Sequence, residues 1–330
     1  MIARDAFHGR EVLVTGGLGF LGSNLAIRLA RLGARVTIVD SLVEQFGGNF
    51  FNIEPVRDCV TVNVSDMRDP NSLDILVQGK DYIFNLAGQV SHGDSMRDPQ
   101  LDLAVNCVST MNLVEACRKH NPEARLLYTS TRQVYGRPRK LPVDENHPTV
   151  PIDVNGINKL AAEYYHLLYH RTYGVRSVVL RLTNTFGPRQ RIRGNRQGFA
   201  TVFVRQALRG ETISLYGGGT QLRDFNYVED VVNAMVLAAA NDACYGEVFN
   251  LGSSRPYSLL DFVDALKARC TFEVESVPFP EDTRIIDIGD YYGDYSKFRE
   301  ATGWSPQVDL SEGLEKTVAF YREHKDAYWQ

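Results

Sequence analysis

Three glycines spaced GlyxxGlyxxGly, at Gly16, Gly19 and Gly22, do what side chains cannot: they let a phosphate come up against free backbone N–H groups. They sit in Gly16-Gly17-Leu18-Gly19-Phe20-Leu21-Gly22, where a helix opening near Phe20 and Leu21 aims its N-terminal partial charge at the same spot. A glycine triplet alone is a weak signal, and its context strengthens it. The buried-strand pattern Glu11-Val12-Leu13-Val14-Thr15 precedes it, and a second strand pattern, Arg35-Val36-Thr37-Ile38-Val39, ends in Asp40. An acid at about that distance accepts hydrogen bonds from ribose hydroxyls and repels a 2′-phosphate. The chemistry is therefore dinucleotide binding, with NAD favoured over NADP.

Such groups converge only if strands and helices alternate. Apolar runs near 11–15, 35–39, 59–64, 81–86, 124–130 and 175–182 read as strands, with helices near 20–32, 70–77, 99–119 and 155–173 between them. This predicts an α/β fold, a Rossmann-type doubly wound parallel sheet, over 1–182. After Pro188 the order loosens. A helix at 199–208, a Gly217-Gly218-Gly219 loop, strands at 247–251 and 272–277, and helices at 228–240, 258–269 and 310–325 read as a smaller mixed α/β lobe over 183–330, interleaved with the first unit. The first ten residues carry no apolar signal core and lead directly into a strand.

The 330 residues are 44% hydrophobic and 23% charged, ordinary for a soluble chain, and no apolar run approaches membrane-spanning length. A formal charge of −4 gives no reason to expect nucleic acid or an anionic membrane as a partner. Five scattered cysteines, without CxxC or Cys/His spacing, read as reduced thiols of a cytoplasmic protein with no metal site.

The GlyxxGlyxxGly spacing resembles that of short-chain dehydrogenases, and the likeness to their extended branch, the NAD-dependent sugar-nucleotide epimerases and dehydratases, runs from about residue 10 to 325. Asp66-Met67 resembles the family's adenine contact. Asn85-Leu86-Ala87-Gly88-Gln89 resembles the strand end along the cofactor, which implies Leu86, Ala87 and Gln89 as contacts, and Asn106 the polar residue of the following helix. Thr129-Ser130-Thr131-Arg132-Gln133-Val134-Tyr135-Gly136 is similar to the active-site strand, and Arg181-Leu182-Thr183-Asn184-Thr185-Phe186-Gly187-Pro188 to the turn carrying a substrate asparagine, here Asn184. Arg223 lies in a segment resembling ArgAspPhexTyrVal, and Arg284 with Asp287 in the family's terminal pattern. The resemblance implies that Arg223 and Arg284 hold phosphate and Asp287 a ribose, so a nucleoside-diphosphate sugar is the implied substrate. Guanidinium forks suit phosphate oxygens. The basic run Arg189, Arg191, Arg193 and Arg196 lies where the family has a substrate-covering loop, and reads equally as a solvated loop.

One departure stands at the centre. The family's catalytic pair is Tyr-x-x-x-Lys at the start of a helix, with the lysine, here Lys159, holding the cofactor ribose. In Asp153-Val154-Asn155-Gly156-Ile157-Asn158-Lys159, Asn155 occupies the tyrosine's position. An amide cannot act as a general base near neutral pH. Either another group removes the proton (Lys159, His92 and Tyr135 are conceivable), or a water held by Asn155 and Thr131 relays it, or the ligands are bound without redox chemistry. Tyr164 and Tyr165 fall at the wrong helical offsets to replace Asn155.

The family's dehydratases carry an acid pair after the threonine and its decarboxylases a glutamate; this chain has Arg132 and Gln133 there. The resemblance thus implies an epimerase acting by transient oxidation at a sugar carbon, with Thr131 bonding the sugar oxygen and an altered proton relay. Net sugar-nucleotide oxidation or reduction, and an inactive NAD- and sugar-nucleotide-binding protein, are the alternatives. Helices 99–119 and 155–173 are those with which the family builds a homodimer.

Overall fold

The computed structural model describes residues 2–194, 198–281 and 286–329. Side chains alternate across strand β1 (Glu11–Thr15): Val12 and Val14 enter one core and Leu13 another, all fully buried. Strands β2 (Arg35–Asp40), β3 (Val60–Val64), β4 (Tyr82–Asn85), β5 (Arg125–Thr131), β6 (Arg176–Leu182) and β7 (Val248–Asn250) join it. They form a seven-stranded sheet ordered 7-6-5-4-1-2-3, every neighbouring pair parallel. A parallel sheet needs both faces covered.

The helices that position the site are α1 (Phe20–Arg31), α2 (His92–Arg97), α3 (Ser109–His120), α4 (Val154–Tyr173) and α5 (Val228–Ala240). Leu25 and Leu29 of α1 and Val231 and Met235 of α5 share one core with Val12, Val14, Phe84 and Leu127. On the opposite face Leu113, Val114 and Cys117 of α3 pack with Leu13, Ile83 and Leu126. Leu127 is wholly buried; truncating such a leucine to alanine costs about 2–5 kcal/mol. Helix α4 begins at Asp153, whose carboxylate accepts the Gly156 N–H, and ends at Gly174 in the left-handed conformation.

Three features differ from expectation. Ile2–Phe7 form a helix before β1, and Phe7 is buried 4.5 Å, ring to ring, from Tyr82. Six residues are too few to show a period. The expected helix at 99–119 is broken: Pro99–Asp102 runs into a wide π-turn, Leu103–Val108, before α3. The strand expected at 247–251 in the second lobe is the edge strand β7, paired to β6 through Val248 and Val179. Chain order alone does not reveal such a return. The remaining short strands pair locally: Asn184–Phe186 with Phe225–Tyr227, Leu222–Arg223 with Tyr257–Ser258, and Ile213–Tyr216 with Val274–Val277.

Candidate active site

Strand order reverses between β1 and β4, so the connections leaving them part and open a crevice at the carboxyl ends. The register places Thr15 beside both Val39 and Asn85, which brings Gly16, Asp40 and Leu86 to one level. Thr15 Oγ1 accepts the N–H groups of Leu86 and Ala87, each at 3.0 Å, tying the two strand ends together. A cleft of about 860 Å³ starts here. Gly16 has φ +65°, and a Cβ on it would lie 2.9 Å from Ala87 Cα; one on Gly22 would lie 2.2 Å from the Gly16 carbonyl oxygen. Only bare backbone fits at these positions.

Gly16, Gly19, Phe20, Leu21, Gly22, Asp40, Asp66, Met67, Leu86, Ala87 and Gln89 all line the cleft. Asp40 accepts the N–H groups of Leu18 (3.0 Å) and Leu42 (2.9 Å). Burial nevertheless holds its carboxyl above the usual carboxylate range. Asp66 is paired with the Arg68 guanidinium, which lowers its carboxyl. Asn106 is not among the lining residues: its amide grips both main-chain groups of Gln89, at 3.2 and 3.0 Å, from behind. It braces the loop instead of facing the cleft.

Farther along, Thr131, Asn155 and Lys159 line the same cleft. The Lys159 ammonium donates to the Thr129 carbonyl at 3.2 Å and lies 5.0 Å from the centre of the Tyr128 ring. Burial pushes it down to about 8, against the opposing pull of Asp102 and Glu163. The Thr131 hydroxyl accepts the Gln133 N–H at 3.2 Å, which leaves its own proton available to donate. Asn155 is turned inward: its amide donates to the Gln89 carbonyl (2.9 Å) and to Asp102 (3.2 Å). The other Asp102 oxygen accepts from Asn158 at 2.8 Å. Tyr135 is not a cleft-lining residue. Its hydroxyl lies buried between Asn250 and Arg181, 2.7 Å from each, and burial pushes it up to about 12.

His92 opens α2 and lines the cleft, with its Nδ1 3.1 Å from Asp153. Gln133 donates to the same carboxylate at 2.7 Å. Although burial works the other way, contact with His92 and these hydrogen bonds leave the Asp153 carboxyl below its ordinary value.

The third part of the cleft gathers Arg132, Asn184, Arg223 and Asp287. Arg132 donates to Gln133 and Asn184, both at 3.0 Å, and Arg223 is 3.3 Å from Asp287. Burial pushes Arg132 down to about 10, and the nearby Arg223 charge adds to the effect. Beside them the Asp224 carboxyl is raised to about 7, again by burial. Arg284 and Arg196 lie outside the described residues. Arg189 faces elsewhere, donating to Asn24 and to the Asn52 carbonyl.

Sequence reasoning missed Asp102, Asp153 and Asp224, which stand behind the cleft and hold its lining residues Asn155, Gln133 and Asn184. Asp153 alone had a legible signal: an aspartate just before an expected helix is an N-cap.

A family model described as the NAD dependent epimerase/dehydratase family matches residues 12–252. The UDP-glucose 4-epimerase of Mycolicibacterium smegmatis is 33% identical over 313 residues, 94% of this chain and 98% of that protein. UDP-glucuronic acid decarboxylase 1 of Xenopus tropicalis is 31% identical over 328 residues, 95% of this chain and 72% of that protein. Among solved structures, the UDP-glucose 4-epimerase of Thermotoga maritima with UDP-glucose superposes with a TM-score of 0.86 at 31% identity, covering 96% of this chain and 99% of that one.

Proposed function

Because the chain belongs to the NAD dependent epimerase/dehydratase family, we propose that it is a nucleoside-diphosphate-sugar epimerase that oxidises a sugar carbon transiently and reduces it again on the other face. One observation carries this reading: a single cleft joins the glycine turn and Asp40 to Lys159 and Thr131, and these to Arg132 and Arg223, with arginine and glutamine after Thr131. Elimination of water across a sugar bond needs an acid and a base there, and neither side chain supplies one.

The residues fit NAD. The glycine turn leaves room only for backbone beside a pyrophosphate, and Asp40 keeps lone pairs beyond its two N–H bonds for ribose hydroxyls. Bound there, NAD would supply a reversible hydride acceptor for the sugar carbon. Lys159 donates to the ribose and keeps positive charge near the reacting oxygen. Thr131 donates its free proton to that oxygen, and Arg223 forks onto the diphosphate. Asn155, with its amide hydrogens engaged inside the protein, leaves proton transfer to another group.

Purified protein incubated with UDP-, dTDP-, GDP- and CDP-sugars and followed by anomeric NMR is expected to interconvert two epimers of one of them, without accumulating NADH. Stoichiometric NADH would assign net oxidation instead; binding without conversion would leave a ligand-binding protein.

The same reading includes a homodimer. Ile157, Tyr164 and Leu168 of α4, spaced to share one helix face, are exposed together with Leu103 and Val108 of the preceding helical segment. Sedimentation is expected to show a dimer, and Tyr164→Glu to shift it towards monomer.

A further inference from the structure

The proton that leaves a sugar hydroxyl needs a basic group at the reacting end of the cleft, and the Asn155 amide is not one. Tyr135 is held between Arg181 and Asn250, away from the cleft. Lys159 rests on the Thr129 carbonyl and the Tyr128 ring. His92 is set differently. It lines the cleft with 36% of its side chain exposed, and its Nδ1 lies 3.1 Å from Asp153 Oδ2.

That carboxylate is fixed on every side. Asp153 caps α4 by accepting the Gly156 N–H at 2.6 Å and also accepts from Gln133 Nε2 at 2.7 Å. Gln133 is itself held by Arg132 at 3.0 Å. Ser95, one turn along α2 from His92, accepts the Asn155 N–H at 3.2 Å. Residues i and i+3 share a helix face. His92 and Ser95 therefore both approach the stretch 153–155, and the imidazole lines the same cleft as Asn155, which holds the tyrosine's position. The Nδ1–H is not aligned with the carboxylate in this structure; such bonds tighten when a ligand fills the site. A carboxylate on one imidazole nitrogen selects the tautomer that leaves the other nitrogen a free acceptor.

Resting on the epimerase reading, we propose that His92, oriented by Asp153, is the general base and acid of the reaction. Its Nε2 takes the hydroxyl proton as that oxygen becomes a carbonyl, while the electron pair of the carbon–hydrogen bond passes to NAD as hydride. On return the imidazolium gives its proton back to the same oxygen and the hydride goes back to the carbon. No proton or electron is consumed overall.

The test uses the full chain labelled with 15N-histidine, with His92→Gln to assign the resonance and Asp153→Asn as the second variant. Two-bond 1H–15N spectra are expected to show neutral His92 as the Nδ1–H tautomer in the wild type, a preference lost in Asp153→Asn. With the nucleotide sugar that the wild type turns over, single-turnover reduction of bound NAD is expected to fall on the order of 10²–10⁴-fold in His92→Gln, with KM within a few-fold. An Nε2–H tautomer in the wild type overturns the proposal, and so does a His92→Gln rate within a few-fold of wild type. If the wild type reduces no NAD with any nucleotide sugar, the epimerase reading falls and His92's role with it. The failures are distinguishable, because only failure of His92 alone leaves wild-type turnover intact.

Discussion

The two ends of the cleft are made of different material. At the dinucleotide end the surface is main chain: a turn fixed by Gly16 and Gly22, N–H groups at a helix start, and strand ends locked through Thr15. At the reacting end it is a side-chain network in which Arg132, Gln133, Asp153 and His92 hold one another, beside a second group of Asp102, Asn155 and Asn158. A main-chain site depends on spacing and resists rewiring. A side-chain network can lose a tyrosine and keep its shape, because each member can be exchanged while its neighbours re-form their bonds.

The contrast can be broken experimentally, the largest effect first. Gly22→Val puts side-chain atoms into the Gly16 carbonyl and is expected to weaken NAD binding by more than about 100-fold by calorimetry, or about 2.7 kcal/mol. Undiminished affinity would show that the turn is not rigid. Asp102→Ala strands the Asn158 amide and one N–H of Asn155 in the interior, and urea unfolding is expected to show a loss of about 2 kcal/mol. Asp40→Asn keeps the shape but halves the acceptor capacity. It is expected to lower NAD affinity by about tenfold, in line with a charge-assisted hydrogen bond, and to narrow the preference over NADP.

A titration separates Lys159 from its surroundings. Its folded value is depressed to about 8, below its ordinary 10.5. Between those values the unfolded chain binds the extra proton, so stability rises with pH through that window and is lost as pH falls through about 8. Unfolding free energies measured from pH 7 to 10.5 are expected to rise for wild type relative to Lys159→Met. Parallel curves would remove Lys159 from the buried charged groups.

The same contrast explains what could be read without coordinates. The glycine turn, Asp40 and strands β1 to β6 were legible because spacing and apolar period are local signals. Edge strand β7 reads from the sequence as part of the second lobe, since a short strand reached after α5 carries no mark of the sheet it will join. The resemblance implies Asn106 as a cofactor contact, whereas the π-turn that interrupts the expected helix points its amide at Gln89. The pairing of His92 with Asp153 joins segments 61 residues apart through Gln133, a residue that looked like a mere absence of acid. Only packing brings these together.

The most direct measurement is a crystal structure of the protein with NAD and the nucleotide sugar it turns over. The account predicts the pyrophosphate of NAD against Gly16 to Gly22, the diphosphate of the substrate on Arg223, and a sugar hydroxyl within about 3 Å of His92 Nε2. A sugar ring bound away from Thr131 and Lys159, or a reacting hydroxyl that meets only the amide of Asn155, would contradict it.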